Sequence, residues 1–522
     1  MSSEPLHLLD LPTELVVACL AYLDFRDIES CLDTGNRLLR ETIENSVLIQ
    51  YQLAQEAASV RENPERIAEL NIAQRIIELQ RHEATWLNFA HEPSRTITLD
   101  FVSGGIYDLA SDLYLAGKRL DPNSSTCHGI KYAYTSPGSS DDLRWTEIDV
   151  GKPIVDFGSA LTEHNLIAIV TRSPCEDDPQ WMSLDVMLLD FSTGKPHELA
   201  TNPIIHIHDI EASRGPPGIT MEIVGENLAL LIVYWHDENV DMDTVHVYDW
   251  KLGTPKMDPF GVNTTGIIFL TEDTIIIPDT ADGTLGILYI PPSSESDEVP
   301  HFIHSFSLPA LHDDHAFDSF QCRAEPNPCM SICRASQSNF TPRAEDSLIL
   351  FSFDAWNHLA PAEYIFVVPR STLLALLRNA DTAETPWDAW GPQSSCWPIT
   401  GPVSKHYITT TAGQRMVTIA ADAWEKPAPI RVLDFNPRRV AAQRRIGPVD
   451  GEHATVRVME AGSEKDVNQV PFSEPVWSTL PYVETLSKEK FDFRAVMIND
   501  EDIIGVRYGE QFIESLHVLH FG

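Results

Sequence analysis

Three groups of residues in this chain are of types that could do chemistry, and their spacing decides what chemistry that would be. His206 and His208, followed by Asp209, alternate along an apparent strand. Alternation turns both imidazoles to one face, where a metal such as zinc takes nitrogen ligands. Any half-buried strand shows the same alternation, and that plain structural reading is preferred. Cys322, Cys329 and Cys333, with His312 and His315 upstream, form the second group. Zinc ribbons and fingers space their paired ligands about two to four residues apart, which C-x6-C-x3-C does not. Pro326 and Pro328 also interrupt the gap, so buried thiols are expected. The third group, Trp387, Trp390, Trp397 and Trp424, could line a partner-binding face, because aromatic residues dominate interface hot spots. The same residues serve as plugs between packed sheets, and that role is favoured.

No catalytic motif accompanies these groups. The chain has no GxSxG, no HExxH, no P-loop and no dinucleotide fingerprint opening a βαβ unit. The expectation is a protein without a catalytic residue, a metal site or a cofactor. Charge narrows the partners. The 522 residues carry 37 basic and 77 acidic side chains, for a net charge of −40. Such a field repels phosphate backbones and anionic lipid, so neither nucleic acid nor a membrane surface is an expected partner. The acidic runs HDENVDMD (236–243) and SSESDE (293–298) are read as solvated loops. No uninterrupted apolar run reaches the roughly 18–20 residues that cross a bilayer. Without a basic stretch before an apolar core, a signal peptide is not expected either, and the chain is placed in the cytoplasm or nucleus. Eight scattered cysteines suit reduced thiols there better than a disulfide framework.

At this length one compact core is not expected unless the fold repeats. The texture divides the chain into residues 1–50, 51–92 and 93–522. The first ninety residues read as helix. Pro12 stands where a first turn tolerates proline, Asp24 can cap a second short helix, and a third begins near Asn36. A further helix starts at Val47, Leu48 and Tyr51. Asn63-Pro64 then opens a linker helix over 64–89, whose expected buried stripe is Leu70, Ala73, Ile77, Ala84 and Leu87, with Ile76 beside it.

After Pro93, short β-rich runs alternate with turns, and one unit recurs. EHNLIAIV (163–170) leads to DVMLLDFSTG (185–194), and GENLALLIVYW (225–235) leads to VHVYDWKLG (245–253). The pattern returns in TEDTIIIPD (271–279) with LGILYI (285–290), GQRMVTIAAD (413–422) with IRVLDFNP (430–437), and EDIIGVRY (501–508) with LHVLHF (516–521). Asp190-Phe191, Asp249-Trp250 and Asp434-Phe435 mark ends of second strands. A small antiparallel sheet whose faces are covered by its neighbours is satisfied in every copy only by a closed ring. The fold class is therefore α+β multidomain: a small all-α head and a large all-β region. A β-propeller of about six to eight blades is the best architecture for that region, with two stacked sheets as the alternative.

The head carries the one recognisable pattern. Leu11-Pro12-x-Glu14-Leu15, Tyr22-Leu23-Asp24, Asp27-Ile28, Leu32 and the stretch Arg37-Leu38-Leu39-Arg40 resemble an F-box. The match covers roughly residues 8 to 50 and departs most in the third helix. There Leu32 stands where valine is common, Asn36 where a basic residue is usual, and Leu38 or Leu39 in place of tryptophan. The rest resembles a class of fungal F-box proteins with a helical linker and a propeller-like region. The segments that carry this are GGIYDLA (104–110), CRAEPNP (322–328), WDAWGP (387–392) and GQRMV (413–417). The resemblance implies a non-catalytic substrate receptor of an SCF-type ubiquitin ligase. Its head would bind a Skp-type adaptor and, through it, a cullin and a RING subunit, while residues 93–522 hold a protein substrate that the resemblance does not name. It assigns Leu11, Pro12, Leu15, Leu23, Ile28 and Leu32 to the adaptor face, and Glu14, Asp24 and Asp27 mainly to helix capping.

Overall fold

Capping residues decide where the first helices begin. A computed structural model describes residues 8–124, 126–135, 144–234, 243–293, 299–329, 338–357, 361–398, 409–420, 427–460, 470–509 and 512–522. Pro12 precedes α1 (Thr13–Leu20). The Asp24 carboxylate accepts the Asp27 N–H at the start of α2 (Phe25–Asp33), and the Asn36 side chain accepts that of Leu39 at the start of α3 (Arg37–Asn45). Each bond satisfies a donor that a first helical turn leaves orphaned. Val16, Leu20, Ile28, Leu39 and Ile43 close a small core with Ile49 of α4 (Val47–Ala58).

Beyond α4 the linker departs from the single helix expected over 64–89. It runs as a strand, Val60–Glu62, one helical turn, α5 (Pro64–Ile67), and a separate helix, α6 (Ile72–Asn88). Asn71 and Gln74 bond each other's backbone N–H in a capping box, so α6 starts afresh instead of continuing α5. The strand pairs antiparallel with Phe340–Pro342, which clips the linker to the body. The expected stripe on α6 is also rotated. Ile77 is 61% exposed, and Leu79, His82 and Trp86 are the residues that face inward. Polar groups occupy part of the true inner face, so counting apolar residues alone selects its neighbour.

The five repeated hairpins form in the body, each antiparallel. Two more of the same kind are present: Leu113–Arg119 with Cys127–Tyr134, and Leu348–Trp356 with Pro361–Pro369. One backbone bond closes all seven. The residue after the second strand donates its N–H to the carbonyl of the residue before the first. The pairs are Thr135→Asp112, Phe191→Asn165, Trp250→Glu226, Ile290→Asp273, Arg370→Ser347, Phe435→Gln414 and Phe521→Glu501, at 2.7 to 3.1 Å. The period is uneven, from 47 residues (Glu226 to Asp273) to 87 (Gln414 to Glu501).

The long strand Thr146–Ala160 bends and serves two neighbours. Its first part pairs with Cys127–Tyr134 and its second with Leu166–Pro174, across shifts in register. Apolar clusters then join consecutive hairpins. Leu115 and Ile130 meet Ile167 and Ile169, and Leu184 and Val186 meet Leu228 and Leu230. Leu109 and Tyr114 of the first sheet share a cluster with Met497, Val506 and Leu516 of the last. The strand Arg95–Thr98, which begins the body, lies beside its final strand, Ile513–His520.

Candidate functional site

The head offers an apolar surface. On α1, Leu15 is 51% exposed and Cys19, one turn on, is exposed beside it. Tyr22 and Leu23 follow at 92% and 36%. Pro12 is exposed, while Leu11 and Leu32 are half-buried against the head's core. Ile28, assigned to the adaptor face by the resemblance, is only 2% exposed and belongs to that core. Tyr22 and Leu38 are exposed and lie outside the set that the resemblance assigns. Their type is readable in the sequence, but which face they occupy depends on how α1 and α3 pack.

A buried ionic junction fixes the linker helix α6 to the body. Arg415 places Nη2 at 2.9 and 2.8 Å from the two Glu83 oxygens, and Arg439 donates to the same carboxylate. Asp434 forms ion pairs with Arg439, Nε at 3.2 Å, and with Arg415, Nε at 3.5 Å. Burial pushes the Glu83 carboxyl up, but the two guanidiniums outweigh it and hold the group well below the usual carboxylate range. Arg415 also lies over the Trp86 ring at 5.0 Å, and Trp86 stacks on Phe521 at 4.3 Å. From the helix Pro437–Ile446, Arg438 covers the Phe25 ring of α2 at 3.5 Å. Just before that helix, Asn436 donates to the Ala57 carbonyl of α4 at 2.9 Å. Helices α2 and α4 and the linker helix α6 thus all bear on the body.

A second polar centre lies inside the body, where three of the four segments that resemble the fungal class meet. Asp108 of GGIYDLA accepts Arg323 of CRAEPNP at 2.8 Å, and Gly413 of GQRMV donates to the Glu325 carbonyl at 2.7 Å. Ser159 donates to Asp108 at 2.6 Å, and Asn327 donates to Glu222 at 3.2 Å. Asp108, Ser159, Glu222, Arg323, Glu325 and Asn327 line a cavity of about 220 Å³. Burial lifts Glu222 and Glu325 to about 7 against the opposing pull of Arg323, and lifts Asp156 to about 7 as well. A second cavity of about 360 Å³ adjoins it, with Arg61, Glu62 and Asn63 of the linker on one wall.

No family model matches the chain, and no curated protein matches it. Solved structures do. The WD40 domain of SCAP from fission yeast is similar at 9% identity and a TM-score of 0.35, over 82% of this chain and 98% of that one. A luciferin-regenerating enzyme is similar at 7% identity and 0.30, over 78% and 100%. A functionally unknown protein from Desulfotomaculum acetoxidans follows at 10% and 0.26, over 65% and 84%.

The residues weighed for chemistry fall elsewhere. A register break separates His206 from His208. His206 bonds Asp185 at 3.0 Å, whereas His208 bonds the Tyr234 hydroxyl at 2.5 Å. Cys322 is buried, and that burial pushes its thiol well up. Cys333 and Trp424 lie outside the described residues. Trp390 and Trp397 are packed in the cluster between two sheets, Trp390 donating Nε1 to the Ser307 carbonyl at 2.9 Å. Among the described residues no group of three or more His, Cys, Asp or Glu is arranged to hold a metal ion. The acidic runs 236–243 and 293–298 fall outside them too, apart from Asp243 and Ser293.

Proposed function

We propose that this chain is a non-catalytic receptor with a propeller body of seven blades and an F-box-type head. The body holds a target protein, and the head docks on a Skp-type adaptor of a cullin–RING ubiquitin ligase. Seven identical closing bonds and a first strand laid beside the last support the ring. The observation that carries the function is the exposure of Leu15, Tyr22, Leu23 and Leu38 on a head otherwise clamped to the body. Apolar side chains of this size left in water on so small a unit call for a covering partner. Catalysis would then be proximity alone: target lysines held at high effective concentration near a charged thioester. The junction at Glu83 suits this, because a loosely hinged receptor would dilute that concentration.

Co-purification of the full chain with a Skp-type adaptor tests the reading. The wild type is expected to retain the adaptor, and Leu15→Asp with Leu23→Asp to lose it. Undiminished retention by the double variant overturns the assignment. Retention of adaptor without any cullin in the complex would move the protein from ligase receptor to scaffold.

A further inference from the structure

A cavity of about 630 Å³ lies where Leu270 and Ile290 face Leu374 of the helix Arg370–Arg378. It reaches the surface at Arg378, which is exposed. Four cations line it together with the carboxylates of Glu226, Glu272, Asp273 and Glu345, and two of the cations are already paired. Lys256 holds Glu226 at 2.8 Å and Arg61 holds Glu345 at 2.9 Å. Arg378 has no ion pair among the described residues. Arg370 is fully buried. Its Nη1 donates to the carbonyls of Pro326, at 3.0 Å, and Ala344, at 2.5 Å, while Nε and Nη2 find no acceptor among the described residues. Burial pulls this guanidinium down to about 10, so it remains a cation at neutral pH. On the same cavity Asn227 spends its amide N–H on the Glu272 carbonyl at 2.7 Å and leaves its buried Oδ1 without a donor.

Buried donors and acceptors left unmade are costly, and native proteins rarely keep several around one cavity without use. A planar guanidinium with free Nε and Nη2 donors matches an oxyanion, and a free amide oxygen matches an N–H donor. Leu270, Ile290 and Leu374 add an apolar wall. We propose that this cavity binds an oxyanion carried beside an amide N–H and an apolar side chain, as at a peptide's terminal carboxylate or a phosphorylated residue. Arg370 would take the anion, Arg378 would draw it in at the mouth, and Asn227 would accept the amide N–H. The site deepens the receptor reading by naming the chemistry of what the body holds. Its test does not involve the adaptor, so the two can fail separately.

Isothermal titration of the full chain with N-acetyl-leucine, its neutral amide N-acetyl-leucinamide, and phenyl phosphate decides the matter. At least one anion is expected to bind saturably, with the neutral amide roughly tenfold weaker or more. The ratio of the two anions separates carboxylate from phosphate. Arg370→Met is expected to weaken the preferred anion by roughly tenfold, and exposed Arg378→Gln by roughly threefold with a shallower salt dependence. Should Arg370→Met fail to fold, the neutral amide and Arg378→Gln still discriminate. Equal binding of the neutral amide, absence of saturable binding at millimolar anion, or an unchanged affinity in Arg378→Gln would each overturn the proposal.

Discussion

The body and the head face the same problem, hiding apolar side chains from water, and they solve it differently. In the body every hairpin lies against another of its own kind, so Ile287, Phe351 and Leu230 reach essentially zero exposure. The head has no next copy. Its core comprises six residues, and Leu15, Tyr22 and Leu38 stay outside it. Repetition supplies each unit with a partner from within the chain, and a unit that does not repeat needs one from outside. Truncating a body residue should therefore be severe. Trp250 is fully buried, donates Nε1 to the Gly225 carbonyl at 2.9 Å and packs on His164 and His197. Trp250→Ala is expected to cost about 3–5 kcal/mol in a urea melt. A loss below about 1 kcal/mol would show that neighbouring hairpins do not share their cores.

The junction between the regions comes next. Glu83→Gln leaves Asp434 as the carboxylate that Arg415 and Arg439 share, and breaking the buried pairs to Glu83 costs about 3 kcal/mol. The pH dependence has a definite sign. Glu83 is held below its ordinary 4.5, so its contribution is present above that value and is lost as pH falls through the lower folded one. Acid unfolding should thus begin at lower relative stability in the variant but with a shallower slope below pH 4.5. An identical slope in both proteins would place the pair outside the folding equilibrium.

This junction also marks where the sequence stops being legible. Hairpins ending on Asp190-Phe191, Asp249-Trp250 and Asp434-Phe435 announce themselves, because the carboxylate caps the turn and the ring plugs the space beside it. The hairpin Leu113–Tyr134 lacks that ending, and Leu348–Pro369 sits between the long insertions of 300–400, so periodicity hides both. On α6 the pattern misleads for a chemical reason. The apolar stripe passes over Glu83 and His82, yet Glu83 meets arginines more than three hundred residues away and His82 is buried with it. A buried polar pair has no local signature; only the partner reveals it. Arg323 and Asp108 are hidden in the same way, and so is Arg370, whose type alone suggests the surface. In the head the caps at Asp24 and Asn36 are local and hence readable, whereas the burial of Ile28 is a tertiary outcome.

Within the body the acidic cavity offers a prediction of opposite sign. Burial raises Glu222 from 4.5 to about 7. Between those values the folded state binds more protons than the unfolded one, so this group's contribution to stability falls as pH rises and stays low above 7. Glu222→Gln removes the penalty. The variant is expected to match the wild type near pH 4 and to exceed it by about 1–3 kcal/mol at pH 8. Equal stability of the two at pH 8 would mean that Arg323 and Asn327 fully compensate the buried charge, and that the cavity is not strained by its acidity.

The smallest expected change is the one that separates the two regions most clearly. Leu15→Asp alters a large apolar residue, yet the side chain touches little of its own fold, and surface changes of this kind stay within about 0.5 kcal/mol. Aspartate at that position also falls within the first turn of α1, beside the positive end of its dipole, which offsets part of the lower helix propensity. The urea midpoint should therefore hardly move, whereas adaptor retention should fall. A body residue behaves in the reverse way, changing stability with no new surface offered to a partner. If Leu15→Asp instead lowered the midpoint as Trp250→Ala does, Leu15 would be packed against its own chain in solution. The head would then be as self-sufficient as the body, and its exposed residues would no longer argue for a partner.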